Sequence, residues 1–401
     1  MASVATGPRQ RGRIMLRGVR YRLSEIPRRL GLDLPTGVES LGVFASTNAA
    51  ATDVMARLAW AVAPGVAVIA REGVHERRPG WAGGDVLDSP ANLSFGDPSD
   101  ADLHLIADAG GLRWIRRAFD RRAVIGDPYW YSSVEVEAFV TLSGVGTSTA
   151  EWQTIRDRSA KLLERLQAQY RDASVAVFGT GPSMSSVDLN SIGTDLIVAC
   201  NSVVSNRQWL AAARPTVLAF GDPVFHFGPS RYAAQFRSDL RRAAAETDAV
   251  FVIPERYAPL VERNLPEVAT RMIAVRHARD GSLLGLQPDH LVVPQTANVL
   301  TLLMLPVALS LGSDVTIAGC DGRRPAERYF WQHNTEVQYG DELMKTAFDA
   351  HPSFFRDRDY VAYYETHCRQ LEMMLSAAEE SGARFRSLTP SEIPALRVRT
   401  L

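Results

Sequence analysis

The stretch Val175-Ala-Val-Phe-Gly-Thr-Gly-Pro-Ser183 decides the reading of this chain. An apolar run suited to a buried strand is followed at once by two glycines. There the backbone must turn sharply, and a turn of this kind presents its N–H groups to an anion. Ser183 can add a hydroxyl. The pattern is shorter than a GxGxxG fingerprint and is not a Walker loop, so it reads either as a phosphate-binding turn or as a plain tight turn.

Working outward, strands are expected at Leu196 to Cys200, Val217 to Phe220, Ala249 to Ile253, near Ile273, and at Val315 to Ala318. Helices are expected from Thr296 to Leu311 and from about Tyr360 to Ser381, with Arg231 to Leu240 left as a loop. Strands that alternate with helices make a parallel sheet covered on both faces. The fold class is therefore α/β, a Rossmann-like mostly parallel sheet with helices on both faces.

A smaller α/β domain precedes it. Leu41 to Ser46, Asp53 to Val62, Val66 to Ala70 and Leu103 to Ala107 follow a βαβ rhythm. Val134 to Leu142 alternates like an edge strand, and Ser143 to Thr149 reads as a linker. Ser148-Thr-Ala-Glu151 is a capping box for a helix to about Tyr170, with Trp152, Ile155, Leu162, Leu163 and Leu166 as its apolar stripe. The expected organisation is a basic segment 1–30, a small α/β domain 31–147, a connecting helix 148–173 and a nucleotide-using α/β domain 174–401. Gly-Asp-Pro occurs at 96–98, 126–128 and 221–223, as turn chemistry or as a trace of a duplicated α/β unit.

Composition sets bounds. The 401 residues exceed one ordinary core. A net charge of −1 gives no reason to expect a nucleic-acid partner. The first thirty residues carry Arg9, Arg11, Arg13, Arg17, Arg20, Arg22, Arg28 and Arg29 against Glu25 alone, which suits a solvated tail or a peripheral contact with the inner membrane face. The apolar run from Val299 to Gly312 is too short for a bilayer. Three scattered cysteines argue for a reducing compartment, so the cytoplasm is expected.

Further polar groups sit at strand tips and helix starts. Asn201, Asp222 and Asp321 each end an apolar strand, and parallel sheets bind ligands at those ends, so they should converge with Gly179. Gln295-Thr-Ala-Asn298 can cap the helix behind it or bond a ligand through Gln295, Thr296 and Asn298. Beyond Asp321 lies a cationic and aromatic loop, Arg323 to Asn334. His351, between Ala350 and Pro352, reads as a general base or as a structural histidine. The Asp-x-Asp pairs at 100–102 and 357–359 read as caps or solvated acids. Asp222 and Asp321 are the better ligands if a divalent ion accompanies phosphate.

In this order of motifs the chain resembles the bacterial sialyltransferases of glycosyltransferase family 42 over about residues 174–396. The resemblance implies a GT-A-like variant of the fold. It implies a CMP-sugar donor held by Gly179, Thr180, Gly181, Pro182, Ser183 and Asn201, with Thr180 where the family has Asn. Thr296 falls at the family's Thr-Ser pair. Tyr329, eight residues after Asp321, stands where a tyrosine holds the departing phosphate, and Arg323 replaces a companion tyrosine. His351 is similar in position to the base that deprotonates the acceptor hydroxyl. The implied reaction is inverting transfer of a sialic-acid-like sugar to a glycan acceptor, with no cofactor. Asp222, where the family has Asn, is similar instead to the MptE-like 6-hydroxymethylpterin pyrophosphokinases. That alternative implies Mg-dependent diphosphate transfer with Asp222 and Asp321 as ligands. A non-catalytic nucleotide- or glycan-binding accessory protein is the third reading.

Overall fold

The structure is a computed structural model that describes residues 37–44, 62, 65–70, 93–106, 122–125, 136, 140–223, 225–228, 230–278, 281–296, 298–323, 338–351, 356 and 359–400. The basic segment 1–30, the helix expected from Asp53, the Gly-Asp-Pro at 126–128 and Tyr329 lie outside these residues. Contacts group the chain into two compact units. The first comprises Met1–Ser148, Pro223–Ala234 and Lys345–Arg358, and the second Thr149–Asp222, Gln235–Met344 and Asp359–Leu401.

The first unit holds a parallel five-stranded sheet of order β3-β2-β1-β4-β5. Its strands are β1 (Ser40–Phe44), β2 (Ala67–Ala70), β3 (Leu93–Phe95), β4 (Leu103–Ile106) and β5 (Ala123–Ile125). One side chain sets the start of β1 beside β4. Asp102 Oδ2 accepts from the backbone N–H of Glu39 (3.0 Å) and Ser40 (2.9 Å) and from the Ser40 hydroxyl (2.7 Å). These bonds hold the Asp102 carboxyl below the usual range. Of the edge strand expected over Val134 to Leu142, the described residues 136 and 140–142 are helical instead, and the Ser143 hydroxyl bonds back to Val140 O at 2.6 Å. A short alternating run does not distinguish strand from helix, and here the local turn prevails.

The second unit holds a parallel eight-stranded sheet of order β11-β10-β9-β8-β7-β6-β12-β13. The strands are β6 (Ser174–Phe178), β7 (Leu196–Cys200), β8 (Val217–Ala219), β9 (Val250–Pro254), β10 (Met272–His277), β11 (Val292–Val293), β12 (Asp314–Ala318) and β13 (Arg384–Ser387). The same device recurs at its centre. Asp195 Oδ2 accepts from the Ser174 N–H and hydroxyl, each at 2.7 Å, and fixes the start of β6 against β7. Each sheet also has a strand that runs into Phe-Gly-Asp-Pro: β3 ends in Phe95, and Phe220 follows β8.

Val175, Val177, Val198, Val217, Val252, Ile273, Val315 and Ile317 are fully buried, as strands covered on both faces must be. The helix α1 (Thr149–Gln169) leads into β6, and α2 (Arg207–Ala213), α3 (Arg231–Glu246), α4 (Leu305–Leu311) and α5 (Tyr360–Glu380) lie in the crossovers. α1 contributes Leu162, Leu163 and Leu166 to the core, and α5 contributes Leu371, Met374 and Leu375. Full burial of one such side chain stabilises by roughly 1.5–3 kcal/mol. A partly exposed ion pair such as Arg156–Glu255 (2.5 Å) contributes about 1 kcal/mol at most. The apolar stripes therefore hold the helices.

Two helices correct the sequence reading. Arg231 to Leu240, expected as a loop, lies in α3, where Ala233, Phe236, Leu240 and Ala243 are buried at helical spacing. The single helix expected from Thr296 to Leu311 is a π-helical segment, Leu300–Met304, followed by α4. Leu305 N–H donates to Leu300 O, five residues back. Pro306 has no N–H to continue a regular α ladder, which accounts for the wider turn before it.

Burial pulls the pKa values of His277 and His367 down to about 4, so both are neutral in the fold. A base with a depressed folded pKa contributes its full stability above the unfolded value, 6.5, and loses it as pH falls toward 4. Stability measured by urea denaturation should fall by on the order of 2 kcal/mol per histidine between about pH 7 and about pH 5. His277→Gln should remove about half of that loss.

Candidate ligand site at the tips of β6, β7 and β12

The chain runs from β6 toward β7 on one side and later returns to place β12 on the other, so the topological switch lies at β6. Open parallel sheets bind ligands there. The tips of β6 and β12 approach closely: Gly179 N–H donates to Ala318 O (2.9 Å) and Gly181 N–H to Gly319 O (2.8 Å). A Cβ at Gly179 would stand 2.5 Å from Gly319 O and 2.7 Å from Cys320 Sγ. Gly319 has φ of +66°, the left-handed region that glycine adopts without strain. Sequence needs these glycines for backbone approach.

Asp321 completes the junction. Its Oδ1 accepts from Ser183 N–H at 3.1 Å, and Oδ2 lies where a side chain at Gly181 would be. Met184 N–H donates to Gly181 O (3.1 Å), as Pro182 opens a 3₁₀ turn to Ser186. This corrects the expectation for the turn. The N–H groups of Gly179, Gly181, Ser183 and Met184 bond to protein oxygens, so they are not presented to an anion. The Ser183 hydroxyl is buried and makes no hydrogen bond among the described residues. A phosphate within 4 Å of the Asp321 carboxylate would meet a repulsion of about 4 kcal/mol per pair of unit charges at an effective dielectric constant of about 20.

A cavity of about 90 Å³ opens at this junction. Of the expected site residues, Gly179, Thr180, Gly181, Asn201, Asn298 and Asp321 line it. Asn201 has φ of +51°, which turns the chain away from β7 into a 3₁₀ turn. Asn298 Oδ1 caps the following helical segment by accepting from Leu300 N–H (2.9 Å). Gln338 Nε2 donates to Thr180 O at 2.9 Å, tying a distant segment to the turn.

The other expected residues lie elsewhere. Thr296 is buried and receives the Thr301 hydroxyl at 3.0 Å, and Gln295 Nε2 lies 3.4 Å from Thr296 O. Asp222 follows β8 without reaching the cavity lining. Arg323 is buried, lays its guanidinium over the Tyr364 ring at 5.0 Å and donates from Nη2 to Tyr360 O at 3.2 Å. It thereby positions α5. His351 belongs to the first unit, where it is buried and its N–H bonds to Ala347 O at 3.0 Å.

Tyr364 and His367 of α5, with Cys200 and Cys320 at strand tips, complete the polar lining. The sequence reading passed over them, although Tyr364 and His367 stand three residues apart and so share one helix face. Burial pushes Tyr364 up to about 12 and Cys320 up to about 12, and raises Cys200 as well. Phenol and thiols therefore stay protonated at neutral pH, and the thiols are not nucleophiles. Desolvation also raises Asp321 above the usual carboxylate value, although the Ser183 bonds lower it. The wall combines one carboxylate, neutral amides and a neutral imidazole, a set suited to hydroxyl and amide groups of a ligand.

No known protein family, characterised protein or solved structure matches this chain. Its site therefore has to be read from its own geometry. Among the described residues, no group of three or more His, Cys, Asp and Glu side chains is arranged to hold a metal ion, and no helix is long and apolar enough to cross a membrane.

Gly181→Ala would drive a methyl group into Asp321 Oδ2 and break its bond to Ser183 N–H. Its cost should be about 1–3 kcal/mol in denaturant unfolding. Gly193→Ala, where a Cβ meets open space but φ is +59°, measures backbone strain alone and should cost less.

Proposed function

We propose that the second unit is a glycosyltransferase domain that holds a nucleotide-sugar at the tips of β6, β7 and β12 and transfers the sugar, with inversion, to a glycan hydroxyl. One observation carries this reading. Gly179 to Gly181, Asn201, Asn298 and Asp321, picked out in the sequence as a nucleotide site, come from four separate stretches of chain and line one cavity at the switch point. The motif order resembles that of family 42 sialyltransferases, so the donor is a CMP-activated sialic-acid-like sugar. The setting is cytoplasmic surface-polysaccharide or glycoconjugate synthesis, with the basic segment 1–30 at the inner membrane face.

In this reading the acceptor hydroxyl attacks the anomeric carbon, the bond to the CMP phosphate breaks, and the hydroxyl proton passes to a general base, the role that the family resemblance gives to His351. Tyr329 attends the departing phosphate. Arg323, committed to Tyr360 and Tyr364, serves by positioning α5. The rival diphosphate transfer draws on the carboxylate of Asp321 in the cavity wall, with Asp222 and Mg²⁺.

Transfer from a CMP-sugar to glycan acceptors should survive EDTA; loss of all activity on chelation would favour the diphosphate reading. His351→Ala should lower turnover by about 10²–10⁴-fold while calorimetric CMP binding stays the same, the usual weight of a general base. Unchanged turnover would remove His351 from the mechanism.

A further inference from the structure

We propose that the glycine turn receives the uncharged ribonucleoside part of the nucleotide, with Asp321 as acceptor for its ribose hydroxyls, and that the phosphate lies away from the turn. This rests on the nucleotide reading above and reverses the usual orientation of a ligand on such a turn.

Three observations carry it. The N–H groups of Gly179, Gly181 and Ser183, which would cradle a phosphate, already serve Ala318 O, Gly319 O and Asp321 Oδ1. The carboxylate that takes the last of them stands in the cavity lining, where it repels an anion and attracts hydroxyl donors. An ionised carboxylate offers about four acceptor positions, and Ser183 N–H occupies only part of that capacity. Burial raises the Asp321 pKa in spite of those bonds, and a sugar diol would supply two further donors to the carboxylate.

The rest of the lining suits the same occupant. Asn298 uses its side-chain oxygen on Leu300 N–H, which leaves its NH₂ group for a base or sugar oxygen. His367 is buried and neutral, so it adds no charge to the lining. Val299, Leu300, Met304 and Ile393 provide apolar surface for a base.

The test is calorimetry near neutral pH on the full chain with four ribonucleosides, their 5′-monophosphates, the 2′,3′-dideoxy forms and inorganic phosphate. The preferred ribonucleoside should bind within about threefold of its monophosphate, and the dideoxy form at least about tenfold more weakly, the weight of one hydrogen bond to a charged group. Asp321→Asn keeps an oxygen for Ser183 N–H. It should weaken ribonucleoside binding by about tenfold or more and leave the dideoxy form unchanged. A monophosphate more than about tenfold tighter than its nucleoside, displaced by inorganic phosphate, would overturn the orientation and leave the nucleotide reading standing. Equal affinity of ribo and dideoxy forms would overturn the role of Asp321. Binding of none of these ligands would overturn both proposals.

Discussion

The approach of the β6 and β12 tips is the constraint on which the ligand site depends. Two backbones meet there with Gly179 N–H on Ala318 O and Gly181 N–H on Gly319 O, at 2.9 and 2.8 Å. Only residues without a Cβ permit that distance, so glycines at 179, 181 and 319 serve packing before they serve any ligand. Asp321 then enters the space left above Gly181 and takes the Ser183 N–H. Turn, strand tip and carboxylate form one unit, and moving any of them disturbs the others.

That junction changes the chemistry that a glycine turn usually offers. A turn with free N–H groups is positive and collects anions. Here the same groups face protein oxygens, and the carboxylate adds negative charge at the wall. The surroundings follow suit: thiols and phenol held protonated by burial, an imidazole held neutral, and amides at Asn201 and Asn298. Such a site recognises shape and hydroxyl or amide groups more than net charge.

Each sheet carries a reciprocal Ser–Asp pair at the start of an interior strand. Asp102 N–H donates to the Ser40 hydroxyl (3.0 Å) while its carboxylate takes the Ser40 hydroxyl and N–H, and Asp195 treats Ser174 in the same way, with 3.1 Å for the N–H bond. The first pair joins β1 to β4 and the second joins β6 to β7, so the two do not fall on corresponding strands, and the Gly-Asp-Pro that follows Phe95 and Phe220 reads as turn chemistry or as a trace of duplication. The five-stranded order β3-β2-β1-β4-β5 corresponds to the segment β8-β7-β6-β12-β13 of the larger sheet.

Much of this was legible in the sequence because the determinants are local. Short apolar runs closed by a glycine turn, such as Val175 to Phe178, read as strands buried on both faces, and the capping box before α1 marks where a helix starts. Asn201, Asn298 and Asp321 were legible as polar groups at the ends of apolar elements, where a cap, a turn or a ligand contact is each a reason for them to be there. Tertiary structure decided the rest. That Asp321 faces Ser183 N–H, 138 residues away in sequence, depends on β12 inserting beside β6, and no local pattern encodes that pairing. Likewise Arg323 turns to Tyr364, and Tyr364 and His367 reach the cavity, only because α5 packs across the strand tips. The sequence by itself thus determined that a turn exists after β6, and long-range strand order determined which charge stands beside it.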